Sequence, residues 1–455
     1  MGKVCVILAV LSARATAFAL RLLGRRATSM PGLVALRLCP GLLGHLLRQL
    51  DAFVVVTGTN GKTTTVALLH AILDGQDQPW IFNDGGANLT QGLVSALLPY
   101  TAVSGALRHR RALLEVDEAT LPGIVRLRAP TLLVVTNVLR DQLDRYGEVD
   151  HALACLRAGV RDASTTLVAN ADDPLCASLG LGRDLTYYFG IADAPQDGVA
   201  RSEARDGAFC LQCGAELEYT RFVFAQMGDY RCPAGHFARP ERHVAGSLPA
   251  SDAGRLGVSE RLSGSRPVDR FDLPLTVAGL YNVYNLLAAV TAARVLGYSP
   301  ARIERGLGFY RAPTGRMQTV CETPRVVLSL IKNPAGATAV LRAIEADAVD
   351  KTVCFVINDA DADGRDVSWL WDIDLESFVP RAKCAVWWCA GTRGPDMALR
   401  LAYAGVERSA ITVVAQLDLV PGHVMHSGEP VYVLSTYTAL HALSDMFAVQ
   451  RGRAV

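Results

Sequence analysis

The sequence predicts a multidomain α/β protein: a P-loop central domain, a small cysteine-bearing module inserted into it, and a second α/β domain at the C-terminal end. Three observations predict this. At 455 residues the chain exceeds what one hydrophobic core normally organises. Short apolar runs of the buried-strand kind are repeatedly followed by polar residues and helical periodicity. One of these runs leads directly into a glycine-containing turn that ends in Gly61-Lys62-Thr63. Half of the residues are hydrophobic, 20% are charged and the net charge is +1, which excludes a disordered chain and offers no global basic excess for nucleic acid.

Taken in order, residues 1–50 read as a helical lead-in. Lys3 and the apolar run 4–10 imitate the start of an export signal. Arg14, Arg21, Arg25 and Arg26 instead fit an amphipathic helix with a basic face, packed on the protein or resting on an anionic membrane surface. No later segment offers about 20 uninterrupted apolar residues, so no membrane span is expected there. The central domain is expected over residues 51–314, with buried strands at 53–56, 112–116 and 131–136 in a mainly parallel sheet. Cysteines, aromatics and glycine break that rhythm at 205–240, which reads as an inserted module. The Ser-, Gly- and Arg-rich stretch 246–270 is expected to be a mobile loop or an edge segment, with the sheet resuming near 273–277. A second α/β domain is expected over 315–455, with strands at 326–331, 352–357, 384–389, 411–414 and 430–434.

The string Thr57-Gly58-Thr59-Asn60-Gly61-Lys62-Thr63-Thr64 lies between a strand and a helix. Glycines let backbone N–H groups approach phosphates, the helix N-terminus favours anions, Lys62 neutralises phosphate oxygens and Thr63 offers a hydroxyl to Mg²⁺. An ordinary strand-to-helix turn is the alternative. The chain has only five lysines, so each is informative about chemistry that arginine does not perform. Its eleven cysteines are too sparse for a disulfide scaffold, and Cys210, Cys213 and Cys232 stand at metal-like spacing. A reducing compartment, the cytoplasm, fits this usage.

The phosphate string departs from general P-loop spacing and resembles that of the Mur ligase family. Gly279-Leu280-Tyr281-Asn282-Val283-Tyr284-Asn285 is similar to that family's nucleotide-side motif, and Gly315-Arg316-Met317-Gln318 to the motif that opens its last domain. The resemblance implies a Mur ligase-like α/β fold that binds ATP through Gly58, Thr59, Asn60, Gly61, Lys62, Thr63, Thr64, Asn282, Asn285 and Arg316. For the two asparagines helix capping is the alternative. It also implies Mg²⁺ held by Thr63 and Glu115. An exposed strand-end acid is the alternative for Glu115, and of the two acids Glu118 reads as the bystander.

Within the family the resemblance is to its amidating branch. Gln142, in the segment Thr136-Asn137-Val138-Leu139-Arg140-Asp141-Gln142, stands where peptide-adding members have histidine. No lysine lies between Lys62 and Lys332, so the carbamylated lysine common in amino-acid-adding members is missing. The insert resembles a zinc ribbon, with glycine at position 235 where a fourth cysteine is expected. Structural Zn²⁺ bound by Cys210, Cys213, Cys232 and His236 is the expectation, against a degenerate ribbon held by apolar packing. Four C-terminal strings, among them Lys332-Asn333-Pro334 and Asp359 to Asp366, look like the same branch.

The implied reaction is ATP-dependent amidation of the D-glutamate α-carboxyl in the lipid II stem peptide, giving D-isoglutamine by way of an acyl phosphate. Lys62 and Glu115 would be catalytic, and a GatD-type glutaminase subunit would supply ammonia. Asp363 is implied to reach into that partner's Cys–His site, the alternative being a solvated turn with Asp359, Asp361 and Asp366. The rivals are another Mur-type carboxylate–amine ligase, peptide-adding or folylpolyglutamate synthetase-like, and a nonenzymatic nucleotide-binding scaffold. A cytoplasmic place is expected, with contact at the inner face of the membrane left open.

Overall fold

The computed structural model of the protein describes residues 2–24, 27–74, 79–83, 86–141, 149–193, 206–248, 254–262 and 269–453. Gln142, Arg25 and Arg26 lie outside the described residues, as do 249–253 and 263–268 of the polar stretch.

Strand β1 (Ala52–Thr57) is buried from Phe53 onward, as a strand covered on both faces must be. Next along the chain come β2 (Ile81–Phe82), β3 (Arg111–Glu115), β4 (Leu132–Val135), β5 (Thr166–Asn170) and β6 (Thr186–Asp193). β1 pairs in parallel with β3 on one side and β4 on the other. β2 lies beyond β3, while β5 and β6 continue outward from β4. The chain therefore passes over β1 between β3 and β4, and the strand order reverses there. In open α/β sheets the crevice at such a reversal, beyond the carboxyl ends of the strands, is where ligands bind.

After β6 the antiparallel hairpin β7 (Glu218–Phe224) and β8 (Met227–Arg231) forms a separate two-stranded sheet, as an inserted module should. The large sheet resumes with β9 (Val244–Ser247), parallel to β6, then β10 (Arg255–Glu260) and β11 (Asp269–Pro274), both antiparallel. The polar stretch is thus an edge segment in its described part, and the sheet resumes before residue 273. The reason is alternation: Leu256, Val258 and Glu260 face inward, and Glu260 is held by the Arg294 guanidinium at 2.5–3.0 Å. Over this sheet lie the helix Lys62–Leu73 and the helix Leu280–Val295, which is buried at every residue from Asn282 to Ala293. A helix apolar on all sides is one enclosed by its neighbours.

The second sheet contains β12 (Gln318–Glu322), β13 (Arg325–Leu330), β14 (Lys351–Val356), β15 (Cys384–Ala390), β16 (Ile411–Val413) and β17 (Val431–Ser435). Its order is β12-β13-β17-β14-β15-β16, parallel except for β12. All five strands expected here are present to within a residue or so. β2, β5, β6, β7, β8, β9 and β12 were not anticipated as strands, because short length, glycines or polar residues interrupt their apolar character.

At the N-terminus the helix Lys3–Leu22 packs Val6, Ala9, Val10 and Ala13 into the cluster that holds Leu42, Leu46 and Phe53. Arg14 Nη2 donates to the Thr101 carbonyl at 2.5 Å. By length and composition alone this helix could also cross a membrane.

Candidate functional site

β1 ends at Thr57 and the next helix begins at Lys62, so residues 58–61 make the turn. Gly58 and Gly61 adopt φ of 115° and 86°. A Cβ at Gly61 would lie 2.0 Å from Asn285 Oδ1, and one at Gly58 would lie 2.4 Å from Thr136 Oγ1. Glycine is required at both places for conformation and for space.

The turn is laced to the carboxyl end of β4. Asn60 N donates to Asn137 Oδ1 at 2.9 Å, and Asn137 Nδ2 returns a bond to the Asn60 carbonyl at 3.0 Å. Thr136 Oγ1 donates to the same carbonyl at 2.7 Å, and Leu139 N donates to Thr59 Oγ1 at 3.0 Å. Behind this lacing, Val138 N donates to the buried Asp173 carboxylate at 2.7 Å. Gln226, at the tip of the β7–β8 hairpin, gives its amide to the Val138 carbonyl at 2.8 Å and to Asp173 Oδ1 at 2.5 Å. Burial pushes the Asp173 carboxyl up to about 6, against the hydrogen bonds that favour its charge. The insert is thereby wired to the phosphate turn through buried polar groups.

Lys62 is buried, and its Nζ donates to the Gly58 carbonyl at 2.5 Å and to Glu118 Oε2 at 3.2 Å. Burial opposes its charge, but Glu118, then Glu115, Asp117 and Asp141, more than compensate and raise its pKa. Glu118, expected to be a bystander to the magnesium site, is the ion-pair partner of Lys62 in this structure. Glu115 is 2% exposed, and its Oε1 accepts from Asn88 Nδ2 at 3.1 Å. Its Oε2 is buried with no hydrogen-bond partner among the described residues. A buried carboxylate oxygen left so is costly unless a cation completes it. Thr63 and Glu115 line the same cleft, so the donor set of hydroxyl, carboxylate and open space suits an oxygen-seeking divalent cation.

That cleft has a volume of about 960 Å³ and reaches from the phosphate turn to the second sheet. Asn285 and the half-buried Arg316 line it. Burial lowers the Arg316 pKa, with Glu115 the leading charge acting against that fall. Asn285 Nδ2 donates to Asn282 Oδ1, and Asn282 Nδ2 to the Ala278 carbonyl, whereas the N-cap Gly279 has no side chain to offer. From the second sheet, Lys332 Nζ donates to Asp141 Oδ2 at 2.5 Å. Asn333 donates to Asp141 Oδ1 and to Asn60 Oδ1, each at 3.1 Å. Lys332, Asn333, Asn137 and Asp141 were quoted in motifs but given no role. The scarcity of lysine was the one signal that pointed to any of them.

Asp363 sits at the cleft too, but turned inward: it is buried, accepting from Thr438 N at 2.7 Å, from Thr438 Oγ1 at 2.5 Å and from Ala360 N at 3.2 Å. Asp361 is exposed beside it. The loop is thus neither a wholly solvated turn nor one with Asp363 reaching outward.

In the insert, one ligand atom from each of Cys210, Cys213, Cys232 and His236 lies within 4.8 Å of the others. Cys213 Sγ is 3.5 Å from Cys232 Sγ, which is 3.9 Å from His236 Nδ1. Tetrahedral zinc, with bonds of about 2.3 Å to sulfur, places its ligands about 3.8 Å apart. Gly235 takes φ 78° and donates its N–H to the Cys232 carbonyl at 2.9 Å, and this turn brings His236 in. Burial opposes ionisation of Cys232, but the His236 and Ala234 N–H groups and the neighbouring thiols bring it down to about 6. Three thiols and one imidazole converging at this spacing fit a structural metal.

Comparison with known proteins gives a consistent picture. Residues 56–203 match the Mur ligase middle domain family, and residues 330–440 match the MurT ligase C-terminal family. The chain is 32% identical over 452 residues to the lipid II isoglutaminyl synthase (glutamine-hydrolyzing) subunit MurT of Streptococcus pneumoniae, covering 97% of this chain and 96% of that protein. It is 31% identical over 400 residues to the Staphylococcus aureus (strain COL) subunit of the same name, covering 88% and 87%. Among solved structures it resembles a pseudomurein peptide ligase type C from Methanothermus fervidus, with TM-score 0.65, 20% identity, and coverage of 89% of this chain and 80% of that one.

Proposed function

The chain belongs to the MurT subunits of the Mur ligase family, and we propose from that membership and from the cleft that it amidates the D-glutamate α-carboxyl of the lipid II stem peptide at the expense of ATP. It is a ligase, and the subunit relatives are named for glutamine hydrolysis, so a glutamine-hydrolysing partner goes with it. That partner, in our proposal, is a GatD-type subunit that delivers ammonia.

The observation that carries the proposal is the pairing, in one cleft, of a buried lysine at a helix start with a buried carboxylate oxygen that has no hydrogen-bond partner among the described residues. In the proposed reaction a carboxylate oxygen of the substrate attacks the γ-phosphorus and ADP leaves. Ammonia then attacks the acyl carbon, phosphate leaves and a proton is lost. The N–H groups of the turn from Gly58 to Thr64 bind phosphate oxygens, and Lys62 leaves Glu118 to neutralise charge that grows in transfer. Thr63 and Glu115 would hold Mg²⁺, which supplies charge neutralisation at the phosphates when bound. Asn282, Asn285 and Arg316 are proposed to border the nucleotide, and Lys332 and Asn333 to bring the second sheet onto it. Asp363 is proposed to serve the glutaminase site once its loop is drawn toward the partner. Cys210, Cys213, Cys232 and His236 are proposed to hold structural Zn²⁺. The domain limits proposed are 1–50, 51–314 with the insert at 205–240, and 315–455.

Mass spectrometry of lipid II incubated with the protein, ATP, Mg²⁺ and ammonium, with and without the glutaminase and glutamine, tests this. The mass change from acid to amide is expected. Amino-acid extension in its place would move the chain to the peptide-adding ligases.

A further inference from the structure

The mechanism uses nothing from the outward face of the helix Lys3–Leu22. Val4, Leu8, Leu11, Ala15, Phe18 and Leu22 recur at alternating spacings of four and three, which puts them on one stripe. All six are exposed, the five large ones by 47–72%. Leu23, Met30 and Leu38 extend the exposed apolar surface into the following segment. The first 50 residues carry seven basic residues and no acidic one, whereas the remainder of the chain is net acidic.

We propose that this face is a docking surface for a lipid bilayer containing anionic headgroups, with the helix lying in the plane of the membrane. An apolar stripe bordered by cations, and free of anions, suits the boundary between acyl chains and negatively charged headgroups. The opposite side of the helix, Val6, Ala9, Val10 and Ala13, is at most 3% exposed within the protein, and Arg14 is bonded to Thr101. Spanning the bilayer would tear those residues from the core, so the helix lies on the membrane. A second copy of this chain is a poorer occupant, because a symmetric contact sets the cations of one copy against those of the other.

The placement has a consequence for the substrate. Arg21 and residues 27–29 line the same cleft as Thr63 and Glu115, so docking brings the mouth of the cleft to the membrane surface. A carboxylate carried on a membrane-anchored lipid is then delivered without leaving the bilayer. This second step rests on the proposed ligase function, whereas the docking surface does not.

The test is co-sedimentation of the full-length protein with vesicles of phosphatidylcholine, alone or mixed with phosphatidylglycerol, for wild type and for the double variant Phe18→Glu with Leu22→Glu. Wild type is expected to bind the anionic vesicles, less so as salt rises, and the variant to bind about tenfold more weakly or worse. Its thermal midpoint should not change, since both side chains face solvent. Absence of wild-type binding, or equal binding by the variant, overturns the proposal. So does loss of self-association in the variant with no vesicle binding by either form, which would assign the face to a second copy. In an activity arm, the variant should slow amidation of lipid-linked substrate in vesicles and leave a lipid-free soluble analogue unaffected. Equal rates on both overturn delivery from the bilayer. Turnover of neither substrate by wild type counts against the ligase reading, and the vesicle result still decides the surface.

Discussion

Lys62 and Asp173 show how burial sets the behaviour of single residues here. Lys62 is charged although enclosed, because carboxylates surround it, and its ion pair with Glu118 is 7–8% exposed at the side chains. Lys62→Met is expected to lower amidation by a factor of about 10² or more, by loss of charge stabilisation in phosphoryl transfer. Single-turnover measurement checks this; an unchanged rate would remove Lys62 from the chemistry. Asp173 behaves in the opposite way. Its folded-state pKa, about 6, lies above the ordinary 3.8 of an aspartate, so between those values the folded protein holds a proton that the unfolded chain has released. The contribution of Asp173 to stability is therefore complete below about 4, falls as pH rises toward about 6 and is level above that, a span of about 3 kcal/mol at most. Asp173→Asn should abolish this fall, whatever it does to absolute stability. Unfolding free energies of the two proteins across that pH range give the comparison, and parallel slopes would refute it.

At the scale of elements, the hairpin β7–β8 is more than an appendage. Its tip enters the main body, where Ala225 takes φ 50° and Gln226 is fully buried. Gln226 ties the tip of the insert's hairpin to Val138 and Asp173, and so to the lacing of the phosphate turn. Gln226→Ala leaves the Val138 carbonyl and Asp173 short of a donor, at a cost of about 1–3 kcal/mol. It should also weaken nucleotide binding, which calorimetry would read; an unaltered affinity would mean that the hairpin supports the fold and not the turn. One equivalent of zinc is expected in the purified protein, with loss of metal in His236→Ala. Full zinc content in that variant would exclude His236 as a necessary ligand.

For the whole molecule, the cleft is made by two sheets brought together, and the pairs Lys332–Asp141 and Asn333–Asn60 are what join them at the phosphate turn. Burial opposes the charge of Asp141, and Lys332 is the chief cause of its pKa being lowered all the same. Lys332→Met should strand that carboxylate and reduce kcat with a smaller change in unfolding midpoint, because the cores of the two sheets are untouched. A midpoint loss with normal kcat would assign the pair to stability alone. Asp363→Asn tests the reach across the subunit boundary. It should keep ammonia-dependent amidation and lose most of the glutamine-dependent rate in the complex with the glutaminase. Equal loss of both would place Asp363 only in the Thr438 contact that it makes here.

Local chemistry was legible at residues whose role depends on near neighbours in sequence. Gly58, Gly61 and Lys62 are read from the turn between a strand and a helix, because backbone conformation and helix-terminal N–H groups are local properties. Five of the six strands of the second sheet were legible for the same reason, as continuous apolar runs. The cysteine pair at 210 and 213 and the Cys232–His236 turn were also visible, each being a single local loop.

What spacing along the chain does not carry is the distance between elements far apart in it. That Glu118 and not solvent faces Lys62, that Glu115 keeps one oxygen without a partner among the described residues and that Asp363 is turned toward Thr438 all depend on which strands are neighbours. Gln226 at the back of the phosphate turn, 88 residues from Val138, is the plainest case. The sequence by itself determined the phosphate turn, the continuous apolar strands of both sheets, the family and the chemistry open to it, because these follow from local conformation and side-chain type. The tertiary structure alone decided the ion-pair partners, the wiring of the insert and the exposed face of the first helix, because desolvation and long-range packing select them.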